Sequence, residues 1–226
     1  MERLDDLQFN GLQLLQKTEG FCFGSDAVEL ANFVPVATRF SASACDLGAG
    51  NGIISVLLAA KKNYTVTAVE IQNSAAQLCE KNIELNGLAG KITVVNAAMQ
   101  DFCRAENKGV FDVTVCNPPY EPLCKGEQSL VDAVRTARFE EAVTLQEVIL
   151  TAAHLTKFGG KFYLVHKVER LSEVLRLCSE QLVEPKILQI LRPASHKPPH
   201  LFLLQCTKNG KTGLRVLPER EIRSHV

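Results

Sequence analysis

SACDLGAGNGIISVLLAAKK, residues 43–62, sets Gly48, Gly50 and Gly52 between an apolar run and a helix-periodic one. Glycines at these points let the backbone turn tightly and approach a ligand closely, where a side chain would collide. The spacing is GxGxG, one residue shorter before the last glycine than the GxGxxG turn that presents a helix N-terminus to a pyrophosphate. A nucleoside without phosphates fits it better. Glu70 closes the next apolar run, TVTAVE, about 20 residues on, where a carboxylate can accept hydrogen bonds from both hydroxyls of a ribose.

Outward from the turn, apolar runs alternate with helical stretches. SACDLGAG, TVTAVE, KITVVN, VFDVTVCN and GKFYLVHK read as strands, and NGIISVLLAAKK, SAAQLCEKNIELNG, ARFEEAVTLQEVILTAAHL and ERLSEVLRLCSEQL as helices. Parallel strands need crossover connections, so this order predicts a parallel sheet covered on both faces. PKILQILRP and HLFLLQC follow as a closing antiparallel pair. Asn73 or Ser74 is expected to cap the second helix, Gly87 to end it, and Gly159-Gly160 to end the long helix before the fifth strand. Residues 121–136 lack clear periodicity, and a loop of that length after a strand end favours function.

At 226 residues the chain is long enough for one sizeable core and cramped for two. No apolar run reaches the ~18 residues of a spanning helix, and the acidic, polar start MERLDDLQFN does not read as a signal peptide, so the cytoplasm is expected. Eight cysteines are scattered singly with no CxxC pair, which argues against a zinc site or a dithiol and for buried thiols in a reducing compartment. No metal is expected. Lys+Arg and Asp+Glu balance at 25 each, yet residues 1–156 hold 12 and 19 of them while residues 157–226 hold 13 and 6. A basic C-terminal third suits a phosphate-backbone partner.

The fourth strand runs into NPPY, residues 117–120. At the carboxyl edge of an open α/β sheet, where ligands bind, prolines no longer interrupt a ladder; they fix φ and hold the preceding residue extended. The Asn117 side-chain oxygen and the Pro118 carbonyl can then both accept from one NH₂ group. An exocyclic adenine amine is a poor nucleophile because its lone pair is delocalised, and two acceptors drawing it toward tetrahedral geometry lower the barrier. Pro119 stiffens the turn, and Tyr120 offers a face for a splayed-out base. Cys116 has no partner base in the sequence and reads as a buried strand cysteine.

Together these residues resemble the amino-methylating, S-adenosylmethionine (SAM)-dependent methyltransferases with a (D/N/S)PP(Y/F/W) signature. The opening LDDLQFNGLQLLQKTEGFCFGSDAVELANFV is similar to that of the tRNA (adenine-N6)-methyltransferases acting on position 37 of a valine tRNA. The likeness continues through DLGAGNGII, VEIQ, LNGL, VCNPPY, ARFEEA, FGGKFYLVH and GKTGLRV. It implies a Rossmann-like class I fold, α/β, with a mostly parallel seven-stranded sheet and an antiparallel last strand. It also implies one methyltransferase domain over 1–226, with 1–40 covering the cofactor and 41–226 forming the core.

The resemblance further places Asp46, Gly48, Gly50, Gly52, Glu70, Ile71, Met99 and Asn117 around SAM. Phe21 and Phe23 fall over its methionine end, with Asp26 at a helix start, where it can cap the helix and meet the amino group. Three positions depart from the family: Phe139 replaces a histidine, Gly24 a serine, and Ala98 the acid that would hold the adenine amine. The implied partner is tRNA at its anticodon loop, whose bases unstack cheaply. Lys157, Lys161, Lys167, Arg170, Arg192 and Lys197 are the cations expected to track its phosphates. A monomer or weak homodimer and no membrane partner are expected. The competing readings are a release-factor glutamine methyltransferase, against which only about 45 residues precede the glycine turn, a DNA adenine methyltransferase, and a non-catalytic SAM- or RNA-binding module.

Overall fold

A computed structural model describes residues 2–17, 24–120, 143–193 and 196–222. Phe21, Phe23, Phe139 and the 121–136 loop lie outside the described residues. The chain begins with an antiparallel hairpin, β1 (Glu2–Asp6) and β2 (Gln13–Lys17), and α1 (Ser25–Phe33). The core then runs β3 (Ser43–Leu47), α2 (Ile53–Lys61), β4 (Thr65–Glu70), α3 (Asn73–Leu85), β5 (Ile92–Asn96), α4 (Met99–Phe102) and β6 (Phe111–Cys116). It continues with α5 (Leu145–Leu155), β7 (Thr156–Lys167), α6 (Leu171–Glu180), β8 (Val183–Arg192) and β9 (Leu201–Lys208). Two short strands close it, β10 (Arg215–Val216) and β11 (Arg220–Glu221).

The large sheet has the order β10-β8-β9-β7-β6-β3-β4-β5, with β11 also on β8. β3 to β7 pair in parallel, and β9 runs antiparallel between β7 and β8. The expected seven-stranded sheet is therefore present, extended by the two-residue strands β10 and β11. From β3 the chain winds outward through β4 and β5, then returns to place β6 on the other side of β3. That reversal opens a crevice beyond the carboxyl ends of β3 and β6, the place where open α/β sheets bind ligands.

Both sheet faces are covered, as the apolar strands required. One layer joins Leu12 and Leu14 of the hairpin with Leu30, Leu57, Leu58 and Ile83; the other joins Val148, Ile149, Leu177 and Cys178 of α5 and α6. Helix α2 is apolar on nearly every side because it is buried almost entirely, from Ile53 to Ala59. Two asparagines one turn apart, Asn82 on α3 and Asn86 as its C-cap, hold the hairpin. Asn82 accepts from Leu15 N (2.7 Å) and donates to Leu15 O (3.0 Å), and Asn86 does the same for Gln13 (2.9 and 2.7 Å). Side chains thus continue the ladder along the open edge of β2, which would otherwise be free to pair with another strand.

Two expected helix ends differ. Gln72, not Asn73 or Ser74, is the N-cap of α3, and no side chain caps it. Gly87 does end that helix, with φ +65°. Helix α5 ends before the Gly159-Gly160 pair: it passes directly into β7 at Thr156, whose hydroxyl bonds Ala152 O (2.6 Å) and meets Thr114 Oγ1 (2.9 Å). The glycines instead serve a bulge, where Phe111 pairs with Thr156 and Val113 already pairs with Lys161. A Cβ on Gly160 would lie 2.9 Å from Lys157 O and 3.0 Å from Asp112 O. At the other end of α5, Thr144 and Glu147 form a reciprocal capping box that the T-x-x-E spacing encodes.

Candidate active site

The glycine turn lies at the carboxyl end of β3, and its glycines have different reasons. All three have positive φ: +71° at Gly48, +58° at Gly50 and +84° at Gly52. A Cβ on Gly48 or Gly50 would meet nothing within 4 Å, so these two border open space. A Cβ on Gly52 would come within 2.5 Å of Cys79 Sγ on α3, so this glycine lets two helices pack. The turn is fastened to β4: Gly48 N and Ala49 N donate to Val69 O, and Gly50 N donates to Glu70 Oε2 (2.8 Å). Glu70 Oε1 accepts from Gln72 N (2.8 Å). Each carboxylate oxygen keeps a lone pair for a ligand hydroxyl.

Asp46 is fully buried beneath the turn. Its Oδ2 accepts from Ser55 Oγ (2.7 Å), and its Oδ1 has no partner. Burial pushes its carboxyl up to about 7, with the Ser55 hydrogen bonds opposing. Ile71 is half exposed just beyond Glu70, and its carbonyl, like that of Glu70, accepts from Asn96 Nδ2 (3.2 and 2.8 Å). Met99 opens α4, so its amide belongs to the first turn, which helix geometry leaves without intrahelical partners. Asp101 is exposed within α4 and does not cap it; Ala98 is the N-cap.

Asn117 follows β6 directly. Pro118 is buried behind it, and Pro119 is exposed. The asparagine meets two residues that the sequence separates widely. Asn117 Nδ2 donates to Asp26 Oδ2 (3.2 Å), and the Tyr120 hydroxyl contacts the same Asp26 oxygen and lies 3.0 Å from Asn117 Oδ1. A phenol has one proton, and the carboxylate is the stronger acceptor. Asn117 Oδ1 therefore retains acceptor capacity. Burial, followed by the Asp26 carboxylate, holds the Tyr120 phenol far above its ordinary value, so it stays protonated. Among the described residues no hydrogen bond ends on the Pro118 carbonyl.

Asp26 does not cap α1, as the sequence had suggested. Gly24 is the N-cap, without a side-chain bond, and the Asp26 carboxylate folds back over it. A Cβ on Gly24 would lie 2.3 Å from Asp26 Oδ1, so the glycine makes room for that carboxylate. Asp26 Oδ1 is buried and has no partner. Cys116 is buried, its Sγ donates to Leu47 O (3.2 Å), and burial pushes its thiol well up. It is a strand cysteine and not a nucleophile.

His166, at the carboxyl end of β7, was not singled out by sequence reasoning, although LVHK places it at the same edge as NPPY. It is buried, its Nδ1 accepts from Lys167 N (2.8 Å), and its ring packs edge-on to Tyr120 with centroids 5.6 Å apart. Accepting at Nδ1 puts the proton of the neutral ring on Nε2. Burial, helped by Arg170, lowers its pKa to about 4. The unfolded chain thus binds a proton between pH 4 and 6.5 that the folded one does not, so this histidine costs stability as pH falls through that window. Asp46 has the opposite sign: its raised pKa costs stability as pH rises from about 4 to 7. We expect the two to offset in the wild type. Urea unfolding of His166→Phe should then become more favourable to the folded state on acidification from pH 6.5 to 5, by about 2 kcal/mol relative to wild type. Parallel curves for the two proteins would contradict this.

The six basic residues expected at an RNA do not share one face. Lys167, Arg170, Arg192 and Lys197 stand at the carboxyl edge, where Arg170 pairs with Glu173 (2.7 Å), Arg192 pairs with Glu219, and Lys197 is exposed. Lys157 and Lys161 lie at the opposite edge, bonded to Asp112 (3.1 Å) and Thr207 Oγ1 (2.9 Å). Lys161 and Lys167 lie six residue steps apart along β7, about 20 Å at the rise of a strand. The reason is geometric: one strand crosses the whole sheet, so cations close in sequence reach both edges.

The crevice fits SAM on its own terms. Two buried carboxylate oxygens, Asp26 Oδ1 and Asp46 Oδ1, lack donors, Gly48 and Gly50 leave open space over the turn, and Glu70 has spare lone pairs. Fold and site together define a SAM-dependent methyltransferase. The profile of the family described as methyltransferase small domain matches residues 25–177. The tRNA1(Val) (adenine(37)-N6)-methyltransferase of Shewanella baltica is 31% identical over 170 residues, covering 73% of this chain and 69% of that protein. The chain belongs to the methyltransferase small domain family and, within it, to that of the tRNA1(Val) (adenine(37)-N6)-methyltransferases. Among solved structures, Pyrococcus horikoshii TYW2 in complex with MeSAdo superposes with TM-score 0.64 at 15% identity, covering 92% of this chain and 72% of that one. A geranyl diphosphate C-methyltransferase from Streptomyces coelicolor gives 0.61 at 13%, covering 81% and 77%. At such identities the likeness is one of fold.

Proposed function

We propose that the protein transfers a methyl group from SAM to the exocyclic N6 amine of an adenosine in tRNA, at position 37 of the anticodon loop of a valine tRNA. The observation that carries this reading is the pair of acceptors, Asn117 Oδ1 and Pro118 O, at the mouth of a crevice that fits the cofactor, in a chain whose relatives bear that name. When bound, SAM would supply an electrophilic methyl on its sulfonium, the S–C bond breaking as the N–C bond forms, so the amine needs no prior deprotonation and gives up its proton to solvent after transfer. Asn117 Oδ1 and Pro118 O each accept one N–H of the amine, pulling its lone pair out of conjugation with the ring. Tyr120, locked by Asp26 and His166, presents its ring to the base, a stacking worth about 1–3 kcal/mol. Asp26 holds both Asn117 and Tyr120, and its remaining oxygen takes the ammonium of the cofactor's methionine end. Glu70 receives the ribose hydroxyls, and Ile71 and the Met99 amide border the adenine.

The carboxyl-edge cations Lys167, Arg170, Arg192 and Lys197 follow the phosphates of the loop. Residues 1–40 cover the cofactor as part of one catalytic unit; Asn82 supports this by bonding both Leu15 of the hairpin and, through Nδ2, Asn51 O of the glycine turn (2.9 Å). Among the described residues no helix is long and apolar enough to cross a membrane and no His/Cys/Asp/Glu group could hold a metal. Incubation with labelled SAM and a total tRNA pool, with a release factor as the acceptor in a parallel reaction, followed by nucleoside and peptide analysis, should give N6-methyladenosine in a valine tRNA and an unlabelled release factor. Label appearing on glutamine of a release factor, or on no RNA, would overturn the proposal.

A further inference from the structure

The edge of the sheet opposite the crevice carries a second concentration of positive charge. Lys108 precedes β6, Lys161 and Lys186 lie near the starts of β7 and β8, and Lys208 ends the antiparallel β9. Among the described residues none of the four pairs with a carboxylate. Lys161 is bonded to Thr207, Lys186 to the carbonyls of Lys211 and Gly213, and Lys208 to Gln181 O (3.0 Å). Burial lowers the pKa of Lys161 and Lys208, and the ammoniums of Lys186 and Lys108 respectively lower them further. Of the carboxylates at this edge, Asp112 is held between Arg39 (2.5 Å) and Lys157 (3.1 Å) and Glu180 by Arg176 (2.6 Å), which leaves Glu106, two residues before Lys108, and Glu184 on β8 against the four lysines.

Lys108 and Lys208 flank a hollow of about 330 Å³ with an apolar floor from Leu150 and Ala153. At its rim Phe158 is 81% exposed. Cations left without counter-ions beside a bare aromatic ring are the elements with which proteins hold single-stranded nucleic acid: ammoniums follow phosphates, and the ring takes a base face. An acidic protein segment would use the charge, but would not call for an aromatic ring standing in solvent.

We propose that this edge is a second RNA-binding surface, which grips the tRNA through phosphates at Lys108 and Lys208, with an unpaired base stacked on Phe158. It rests on the reading of tRNA as substrate and extends it. Because the surface is about 20 Å from the carboxyl edge, it engages RNA beyond the anticodon loop, so the enzyme distinguishes a whole tRNA from its isolated loop.

The test compares binding of full-length valine tRNA and of its isolated anticodon stem-loop to wild type and to Lys108→Glu/Phe158→Ala, both exposed positions. The variant should lose about tenfold or more in affinity for the full tRNA, with a shallower salt dependence, and stay within about twofold for the stem-loop. Affinity for S-adenosylhomocysteine, read by calorimetry, should be unchanged and reports an intact fold. Equal affinity of the two proteins for full tRNA overturns the inference and leaves an acidic protein segment as the occupant; an equal loss on both RNAs overturns it too, by placing these residues at the loop itself. The two readings fail separately. Wild type that binds tRNA without methylating it removes the proposed reaction alone, whereas methylation by wild type with an unaffected variant removes this surface alone.

Discussion

Asn117→Ala is expected to lower kcat by about 10²–10³-fold or more while affinity for S-adenosylhomocysteine stays within about threefold. The magnitude is that of removing one fixed polar group aimed at developing charge in a site shielded from water. In the proposed reaction Asn117 Oδ1 is such a group, since the Tyr120 proton is committed to Asp26 and leaves that oxygen to accept from the amine. The cofactor is affected only indirectly, through the 3.2 Å contact of Asn117 Nδ2 with Asp26. Single-turnover transfer from labelled SAM to tRNA, with calorimetry of the cofactor product, separates the two effects. Asn117→Asp restores an acceptor but puts a second carboxylate against Asp26. Two such groups cannot both ionise cheaply, so its activity should be partial and should fall as one of them takes a proton. Full turnover by the alanine variant would remove Asn117 from the chemistry.

Gly52→Ala is expected to destabilise the fold by about 3 kcal/mol. The left-handed conformation, φ +84°, costs a residue with a Cβ about 1–2 kcal/mol. The new methyl also collides with Cys79 Sγ at 2.5 Å, and overpacking of a filled core adds about 1–3 kcal/mol. Adding Cys79→Ala removes the sulfur but not the backbone strain, so the double variant should regain only the packing part. Gly50→Ala supplies the contrast. Its φ is also positive, but nothing lies within 4 Å of the added Cβ, so it should lose about 1 kcal/mol of stability and much more of its cofactor affinity. Urea midpoints at pH 7.5 for the three variants decide this. Equal destabilisation by Gly50→Ala and Gly52→Ala would show that the turn and not the helix packing sets the cost.

What could be read before folding was whatever is written in local periodicity. Alternating apolar runs and amphipathic stretches specify strands and helices because side chains repeat every two residues in one and every 3.6 in the other. The glycine turn, Glu70 and NPPY were legible because each is a backbone requirement met within a few residues. The helix ends were less so. Gln72 stands in place of Asn73 or Ser74 with its amide on the nearby Glu70 carboxylate, and Thr156 in place of the Gly159-Gly160 pair because its pairing with β6 ends the helix there. The hairpin leaves no local sign for a related reason: its outer partners are the side chains of Asn82 and Asn86, some 70 residues away, and no pattern within β2 announces them.

By itself, then, the amino-acid order determined the strand-helix alternation, the glycine turn after β3 and the NPPY corner after β6, since their causes are short-range. Only the folded molecule decided that Asp26 meets Tyr120 and Asn117, that His166 is buried beside them, and that Lys157 and Lys161 stand a sheet's height from Lys167. Charge and hydrogen bonding act through space, and the distance between two residues across a sheet is set by strand order and register, which no stretch of chain contains.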